Sequence, residues 1–234
     1  MDAPKKDLLL IANYWHFEEE KASSRYRTFA DILCRYYNLE VVTSTFCHLK
    51  KRQRDPESLH LDTLPYQMTL QYEKGYPKNI CLKRISSYKQ FGKNVYRYLQ
   101  KRKRPDIILV SVPSLSVADY VTRFAKKEGI PVIVDIQDLW PEAFQMALPV
   151  PVVSDILFSP MMRQANRIYR RADEIMAVSD TYVARGKSQN PHCRGLSIYI
   201  GTDGDLVSAK TQGISVEKDP NEFWIGYVGA LGHS

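Results

Sequence analysis

The stretch that decides the fold is Val132-Ile133-Val134-Asp135-Ile136-Gln137-Asp138-Leu139-Trp140-Pro141-Glu142-Ala143-Phe144, in which an apolar run carries two aspartates, a tryptophan and a Pro-Glu pair into a turn. A short apolar run is typical of a buried strand in a parallel sheet. In open α/β sheets, ligands bind in the crevice beyond the carboxyl ends of the strands. We therefore expect the polar side chains of this turn to line a ligand site.

Further segments with the character of strands alternate with helical segments along the chain. The predicted strands are residues 8–12, 39–44, 66–72, 107–110, 132–136, 174–178 and 196–200. Strands separated by helices form parallel pairs, because parallel neighbours need long crossovers, and these crossovers are right-handed. We predict an α/β fold, a Rossmann-like parallel sheet with helices on both faces.

Helices are predicted where apolar residues recur every three or four positions. They cover residues 24 to about 36, 83–103, 113–128, about 155–171 and a segment that begins near Ser179. For the first helix we predict Ser24 as the N-cap, with Phe29, Ile32, Leu33 and Tyr36 on the buried face. Residues 46–64 have no clear period and are predicted to be loop.

The sequence predicts three regions in the domain organisation. Residues 1–200 form an amino-terminal Rossmann-like domain, residues 201–221 a polar linker, and residues 222–234 the start of a truncated second domain. A new apolar strand is predicted at residues 223–228. We therefore expect the chain to stop inside the second domain, and we expect these 234 residues alone to be inactive.

Composition and charge suit a globular protein that binds anions. Hydrophobic residues make up 44% of the chain, and the net charge is +7. The excess of positive charge is concentrated in residues 50–54 and 101–104. These clusters are either solvated faces at helix ends or patches that bind anionic lipid. The four cysteines have no metal-ligand spacing, and no signal peptide or membrane span is recognised. We expect a cytoplasmic protein that does not bind nucleic acid.

The turn after residue 136 offers four candidate site residues, each with a structural alternative. Asp138 is either an N-cap or a contact to substrate hydroxyls. Asp135 is either a buried hydrogen-bonding group or an acceptor contact. Trp140 is either a packing residue or a stacking platform for a sugar. Glu142 is an acid, a base or a charge in the first turn of a helix.

The loop after the first strand supplies a second group of candidates. His16 overhangs the crevice as a general base or hydroxyl ligand, or is a surface histidine between aromatics. Of the three glutamates that follow, we assign Glu19 to acceptor binding, although such charges are mostly solvated. Arg25 and Arg27 lie in the first turn of a helix, where the dipole disfavours cations, so an anionic ligand or an acidic neighbour must justify them. We assign Arg25 to acceptor binding.

Glycines close the sequence after the last predicted strand. Gly226, Gly229 and Gly232 have the spacing G-x-x-G-x-x-G, from which backbone N–H groups approach a pyrophosphate. The dinucleotide fingerprint G-x-G-x-x-G is absent, and no glycine occurs between Met1 and Tyr72. The sequence therefore argues against an enzyme that uses nicotinamide or flavin.

The sequence resembles the retaining GT-B glycosyltransferases of family 4, particularly the bacterial enzymes of surface-polysaccharide assembly. The resemblance rests on segments in a fixed order: Asp135-Ile136-Gln137-Asp138-Leu139-Trp140-Pro141-Glu142, similar to D-x-R-D-L-W-P-E; Ala172-Asp173-Glu174-Ile175-Met176-Ala177-Val178-Ser179; Ile200-Gly201-Thr202-Asp203; and Tyr227-Val228-Gly229-Ala230-Leu231-Gly232-His233-Ser234. Gln137 stands where relatives have arginine, Gly201-Thr202 where they have Asn-Gly, and the first strand lacks their glycine-rich loop.

This resemblance implies a transfer of sugar from a nucleotide-sugar donor to a saccharide or lipid-linked acceptor, in polysaccharide biosynthesis. The residues here form the acceptor-binding domain, with His16, Asp138 and Glu142 expected to act at the acceptor. Gly229 and Gly232 face the donor phosphates. Apart from the nucleotide-sugar co-substrate, no cofactor and no metal are expected. The basic helix at residues 83–104 is expected to rest on the inner face of the plasma membrane.

Two other classes of function remain open at this point. A sugar-nucleotide epimerase has a similar architecture and would convert the donor sugar without an acceptor. A non-catalytic acceptor-binding half would work with a separate donor-binding chain.

Overall fold

The computed structural model describes residues 4–20, 24–79, 81–147, 151–201, 212–213 and 217–226. The chain divides into two compact units, residues 1–199 and 200–234. The first unit contains all the helices and strands described below. Among the described helices, none is long and apolar enough to cross a bilayer. The predicted boundaries at residues 200 and 221 stay predictions.

A seven-stranded sheet forms the centre of the first unit, and all of its strand pairs are parallel. Its strands are β1 (Asp7–Ile11), β2 (Asn38–Ser44), β5 (Gln67–Gln71), β6 (Ile107–Val112), β7 (Val132–Ile136), β8 (Glu174–Ala177) and β9 (Arg194–Ser197). The two remaining strands, β3 (Phe46–Cys47) and β4 (Arg52–Gln53), form a small antiparallel hairpin. The predicted Rossmann-like parallel sheet is confirmed.

The strand order is β5-β2-β1-β6-β7-β8-β9, so the chain builds outward from β1 in one direction and then in the other. Leu9 and Ile11 of β1 belong to one buried cluster, whereas Leu8 and Leu10 belong to a second. This alternation follows from the two-residue period of a strand. Both faces of the sheet are therefore covered, as the sequence predicts.

Helices follow the strands as crossovers, with bounds close to those predicted. They are α1 (Arg25–Leu33), α2 (Leu82–Leu99), α3 (Leu115–Glu128), α4 (Glu142–Ala147), α5 (Pro151–Arg171) and α6 (Asp180–Lys187). Helices α2, α3 and α5 contribute to the cluster that contains Leu9, and α1 to the cluster that contains Leu8. Where α2 crosses α3, an added Cβ at Gly92 would lie 2.8 Å from Tyr120 and 3.1 Å from the backbone oxygen of Ser116.

Several local predictions are wrong, each for a reason that the three-dimensional packing supplies. Helix α1 ends at Leu33 and buries Tyr26 and Ala30, so Ile32 and Tyr36 are exposed. Residues 46–64 are not plain loop, because they contain the β3–β4 hairpin and two short 3-10 helices at Pro56–Ser58 and Leu61–Thr63.

The two basic clusters lie in different surroundings. Residues 101–104 come directly after α2, as predicted for a solvated helix end. Residues 50–54 instead span the hairpin turn, and Arg54 is buried there.

The predicted strand at residues 223–228 is also wrong where the structure describes it. Residues 222–226 are not in a strand, and the side chains of Phe223 and Ile225 are 88% and 87% exposed. A strand is stabilised by hydrogen bonds to a neighbouring strand. The described residues supply no such neighbour for this segment.

Candidate functional site

The candidate site lies where the strand order changes direction, at the carboxyl ends of β1 and β6. Register places the end of β7 beside the end of β6, because Val112 pairs with Ile136 and the Gln137 amide donates to the Val112 carbonyl at 3.1 Å. Asn13 follows β1 by two residues, and Ser114 follows β6 by two. Loops from three adjacent strands therefore meet at one edge of the sheet.

Each of these loops carries a buried polar atom without a hydrogen-bond partner among the described residues. These atoms are Asn13 Oδ1, Ser114 Oγ and Gln137 Nε2. Leaving a buried donor or acceptor unpaired costs about 1–3 kcal/mol. Unpaired groups on three neighbouring loops therefore indicate a place where water or a ligand completes the hydrogen bonding.

Arg25 and Asp135 are brought together as a buried ion pair. Arg25 Nε and Nη2 each donate to an Asp135 carboxylate oxygen at 3.1 Å, and Arg25 Nη1 donates to the Ile198 carbonyl at 2.5 Å. Burial raises the pKa of Asp135, while Arg25 opposes that shift. The acidic neighbour, one of the two alternatives for Arg25, is thus found. Acceptor contacts by this pair stay a prediction, and they would require the ion pair to open.

His16 lies beside a second buried ion pair. Its Nδ1 is 3.6 Å from Glu20 Oε2, and Arg54 Nε donates to Glu20 Oε1 at 2.9 Å. Burial raises the pKa of Glu20, but the adjacent His16 and the hydrogen bonds from Arg54 outweigh it and hold that pKa well below its usual range. The His16 side chain is 18% exposed, so it is held by a carboxylate and still reaches solvent.

Asp138 is half-buried and does not act as the N-cap that the sequence allowed. Its Oδ2 accepts a hydrogen bond from Trp140 Nε1 at 3.0 Å. Trp140 is itself buried and packs against Phe144, with ring centroids 4.6 Å apart. Trp140 therefore has the packing role that was one of its two predicted alternatives, and sugar stacking by this residue stays a prediction.

Glu142 begins α4 and forms a salt bridge with Arg185 of α6. Its second oxygen, Oε2, is buried without a partner among the described residues, and so is the hydroxyl of Tyr169. Burial raises the pKa of Tyr169, and the charges of Glu142 and Asp138 raise it further. The described contacts of Glu142 thus lie with Arg185, those of Asp138 with Trp140, and those of His16 with Glu20.

Glu19 is exposed and lines a cavity of about 340 Å³ with Arg27, His60 and Tyr66. Arg27 also has an acidic neighbour, because its Nη2 donates to Glu18 Oε2 at 2.9 Å. Acceptor binding by Glu19 stays a prediction. Gly229 and Gly232, predicted to face the donor phosphates, lie outside the described residues.

The sequence reasoning missed a group of polar aromatic and basic residues beside the crevice, which we call the tyrosine cluster: Tyr14, His48, Lys51, Tyr76, Arg84 and Tyr88. Arg84 donates hydrogen bonds from Nη2 to the Tyr14 hydroxyl and from Nε to the Tyr88 hydroxyl, both at 2.7 Å. Its guanidinium also lies 4.4 Å from the ring centroid of Trp140. Arg84 is in the first turn of α2, so the dipole argument used for Arg25 would have singled it out.

No protein-family model matches the chain, and no curated protein matches it. Solved structures are similar to it. UGT89C1 of Arabidopsis thaliana, complexed with UDP-L-rhamnose, has a TM-score of 0.51 at 12% identity, over 92% of this chain and 57% of that one. LpCGTa in complex with UDP has a TM-score of 0.52 at 9% identity, over 95% and 61%. The fold is one half of a GT-B fold.

At these identities the similarity concerns the fold alone. The chain spans less than two thirds of the length of these two relatives. The predicted Rossmann-like half of a GT-B fold is confirmed. The sugar, the acceptor and the subtype of transferase belong to the proposal that follows.

Proposed function

We propose that this chain is the acceptor-binding half of a GT-B glycosyltransferase, which transfers a sugar from a nucleotide-sugar donor to a saccharide or lipid-linked saccharide acceptor. One observation carries the proposal. The unpaired buried atoms of Asn13, Ser114 and Gln137 lie at the switch point of a sheet that is half of a GT-B fold. Unpaired donors and acceptors of this kind suit the hydroxyl groups of a sugar.

Three predicted residues are assigned roles at the acceptor. His16 keeps Nε2 for an acceptor hydroxyl, because Nδ1 faces Glu20. Asp138 Oδ1 has no hydrogen bond to a described residue and accepts from a second hydroxyl. Glu142 keeps its buried, unpaired Oε2 for a further hydroxyl.

Transfer itself is proposed to depend on positioning and on stabilising the departing diphosphate, without a metal. Gly229 and Gly232 would supply backbone N–H groups to the donor phosphates. The nucleotide part of the donor is supported by the two similar structures, which are complexes with UDP-L-rhamnose and with UDP.

We further propose the narrower class of a retaining, bacterial enzyme of polysaccharide assembly, working at the inner face of the plasma membrane. The support is the segment Asp135-Ile136-Gln137-Asp138-Leu139-Trp140-Pro141-Glu142 and the exposed basic residues of α2, which are Lys83, Lys89, Lys93 and Arg97. Exposed cations on one helix attract anionic lipid headgroups.

The proposal is tested by turnover in the full native chain. A panel of nucleotide sugars is supplied with and without saccharide and lipid-linked acceptors, and release of the nucleoside diphosphate is measured. We expect release that requires an acceptor, and a product whose mass has increased by one sugar. Conversion of the donor sugar in the absence of acceptor would instead indicate the epimerase, and no reaction with any pair would count against the transferase.

His16→Gln isolates the proposed base, because glutamine keeps a hydrogen-bonding side chain but takes up no proton. We expect kcat to fall about 10²–10⁴-fold, the usual contribution of a positioned acid or base. The matched control is His192→Gln, which changes an exposed histidine far along the chain and should leave kcat unchanged. Equal activity of both variants would remove His16 from the mechanism.

A further inference from the structure

Arg84 is an exception among the arginines of the structure. Every other described arginine that is buried or half-buried forms a salt bridge with a carboxylate: Arg25, Arg27, Arg54, Arg102, Arg171 and Arg185. Arg84 is half-buried and forms no salt bridge with a described residue. Removing a cation from water is costly unless an anion compensates it.

A second cation, Lys51, adjoins Arg84 through a shared partner. Lys51 Nζ donates to Asn79 Oδ1 at 2.5 Å, and Arg84 Nη1 donates to the Asn79 carbonyl at 2.7 Å. Lys51 also lies 4.8 Å from the ring centroid of Tyr76, over which Arg84 lies at 5.5 Å. Lys51 likewise has no salt bridge to a described carboxylate.

The charges of the two cations affect the pKa of their neighbour His48. Burial lowers the pKa of His48, and the charges of Lys51 and Arg84 lower it further, to about 3. His48 is therefore neutral near pH 7, and its Nδ1 lies 3.3 Å from Lys51 Nζ. The buried carboxylate of Glu73 interacts electrostatically with Arg84 but forms no salt bridge with either cation, and it accepts a hydrogen bond from Ser87 Oγ at 2.7 Å.

Hydrogen-bond donors remain unused on both cations. A guanidinium has five N–H groups and an ammonium has three. Arg84 uses one N–H each for Tyr14, Tyr88 and Asn79, which leaves one on Nη1 and one on Nη2. Lys51 uses two, for Asn79 and His48, which leaves one. Three charged N–H groups suit an anion with several oxygens.

The backbone of Lys51 supplies a second, independent observation. Its φ is 52°, and no other described residue except glycine has a positive φ. This left-handed conformation disfavours a residue with a Cβ, so glycine would be expected at such a hairpin turn. Strained positions of this kind cluster at ligand sites. A lysine side chain is thus kept at a position whose backbone favours glycine.

We propose that the tyrosine cluster binds a phosphate or diphosphate group carried by the acceptor, with Arg84 and Lys51 as its cations. Its place supports the acceptor as the source, because Arg84 contacts Tyr14 in the loop after β1 and Trp140 in the loop after β7. Those loops border the crevice assigned above to the acceptor, so the acceptor as the source of the phosphate rests on the proposed function. The binding of phosphate by the tyrosine cluster does not depend on that function.

The test measures binding of inorganic pyrophosphate and of farnesyl diphosphate to the full chain by titration calorimetry, in the absence of any sugar donor. We expect the affinity for pyrophosphate to fall at least tenfold in Arg84→Gln and in Lys51→Gly. Arg35→Gln is the matched control, because it removes an exposed cation that lies just after α1 and outside the cluster. It should bind as the unaltered chain does.

Lys51→Gly also guards against misfolding, because it removes the ammonium and relieves the left-handed strain. Unaltered affinity in both Arg84→Gln and Lys51→Gly, or an equal loss in Arg35→Gln, overturns the site. If farnesyl diphosphate binds at least tenfold more tightly than pyrophosphate, the source is a lipid-linked group. If the two bind alike, the source is a soluble phosphate ester. Since no turnover is measured, a failed transferase assay leaves this result intact.

Discussion

At the scale of single residues, the structure separates side chains that hold the fold from those that remain available. Asp135 and Arg25 use their charges on each other, and Glu20 and Arg54 do the same. Gln137, Ser114 and Asn13 retain unpaired atoms at the edge of the sheet. The crevice is therefore identified by buried polar atoms that lack hydrogen-bond partners among the described residues, rather than by charged side chains.

Lys51 allows a prediction at this scale. Lys51→Ala and Lys51→Gly both remove the ammonium, but only glycine adopts a φ near 52° without a steric cost. We expect the glycine variant to have a free energy of unfolding about 1 kcal/mol greater than the alanine variant. Urea denaturation of the two proteins measures the difference. Equal stability would mean that the turn relaxes when the side chain is shortened.

At the scale of elements, two of the serines that precede helices, Ser24 and Ser179, differ in their hydrogen bonding. Ser179 Oγ accepts a hydrogen bond from the Tyr182 amide at 3.3 Å, whereas Ser24 makes no side-chain cap bond. We expect Ser179→Ala to lower the free energy of unfolding by about 1 kcal/mol. Ser24→Ala should have almost no effect, since it removes a buried hydroxyl that has no partner. Thermal denaturation of both variants checks the contrast.

The crossing of α2 and α3 gives a second prediction about elements. Alanine normally stabilises a helix relative to glycine by about 1 kcal/mol. At Gly92, however, the new Cβ would lie 3.1 Å from the backbone oxygen of Ser116, which cannot rotate away. We expect Gly92→Ala to destabilise the protein by about 1–2 kcal/mol. Unfolding in urea measures the change, and Lys93→Ala, at the exposed neighbouring position, should shift the midpoint little. If Gly92→Ala were more stable than the unaltered protein, the two helices would have to move apart to accommodate the new Cβ.

The sequence predicts helices and strands better than it predicts which face of a helix is buried or which residues form a site. Apolar runs such as residues 132–136 locate the strands because burial on both faces of a parallel sheet leaves that pattern. The buried face of α1 was mispredicted because Tyr36 lies past the end of a nine-residue helix. The tyrosine cluster was missed because Tyr14, Lys51 and Arg84 come from three separate segments, and their proximity exists only after the sheet has formed.

At the scale of the whole molecule, acid stability depends on buried carboxylates. Hydrogen bonds hold the pKa of Glu20 below its ordinary value of 4.5, so ionised Glu20 stabilises the folded state above that pH. The stabilisation is lost as the pH falls below 4.5, because the unfolded state then binds the proton first. The Glu20–Arg54 pair joins the loop after β1 to the β3–β4 hairpin.

We therefore expect Glu20→Gln to be less stable than the unaltered protein near pH 7, with a difference that shrinks as the pH falls below 4.5. Glu18→Gln is the matched control, because the Glu18 side chain is 83% exposed and its pairing with Arg27 is screened by solvent. Its stability should stay parallel to that of the unaltered protein. Chemical denaturation at several pH values measures both, and a constant difference for Glu20→Gln would contradict the assignment.

The central place of β1 in the parallel sheet has a consequence for synthesis on the ribosome. Leu8 pairs with Leu39 on one side, but its partner on the other side is Ile107. At about 5–20 residues per second, roughly 5–20 seconds separate the emergence of the first strand from that of its second neighbour. During that interval an apolar strand has one open edge, which makes the nascent chain a natural client for chaperones that bind extended hydrophobic segments.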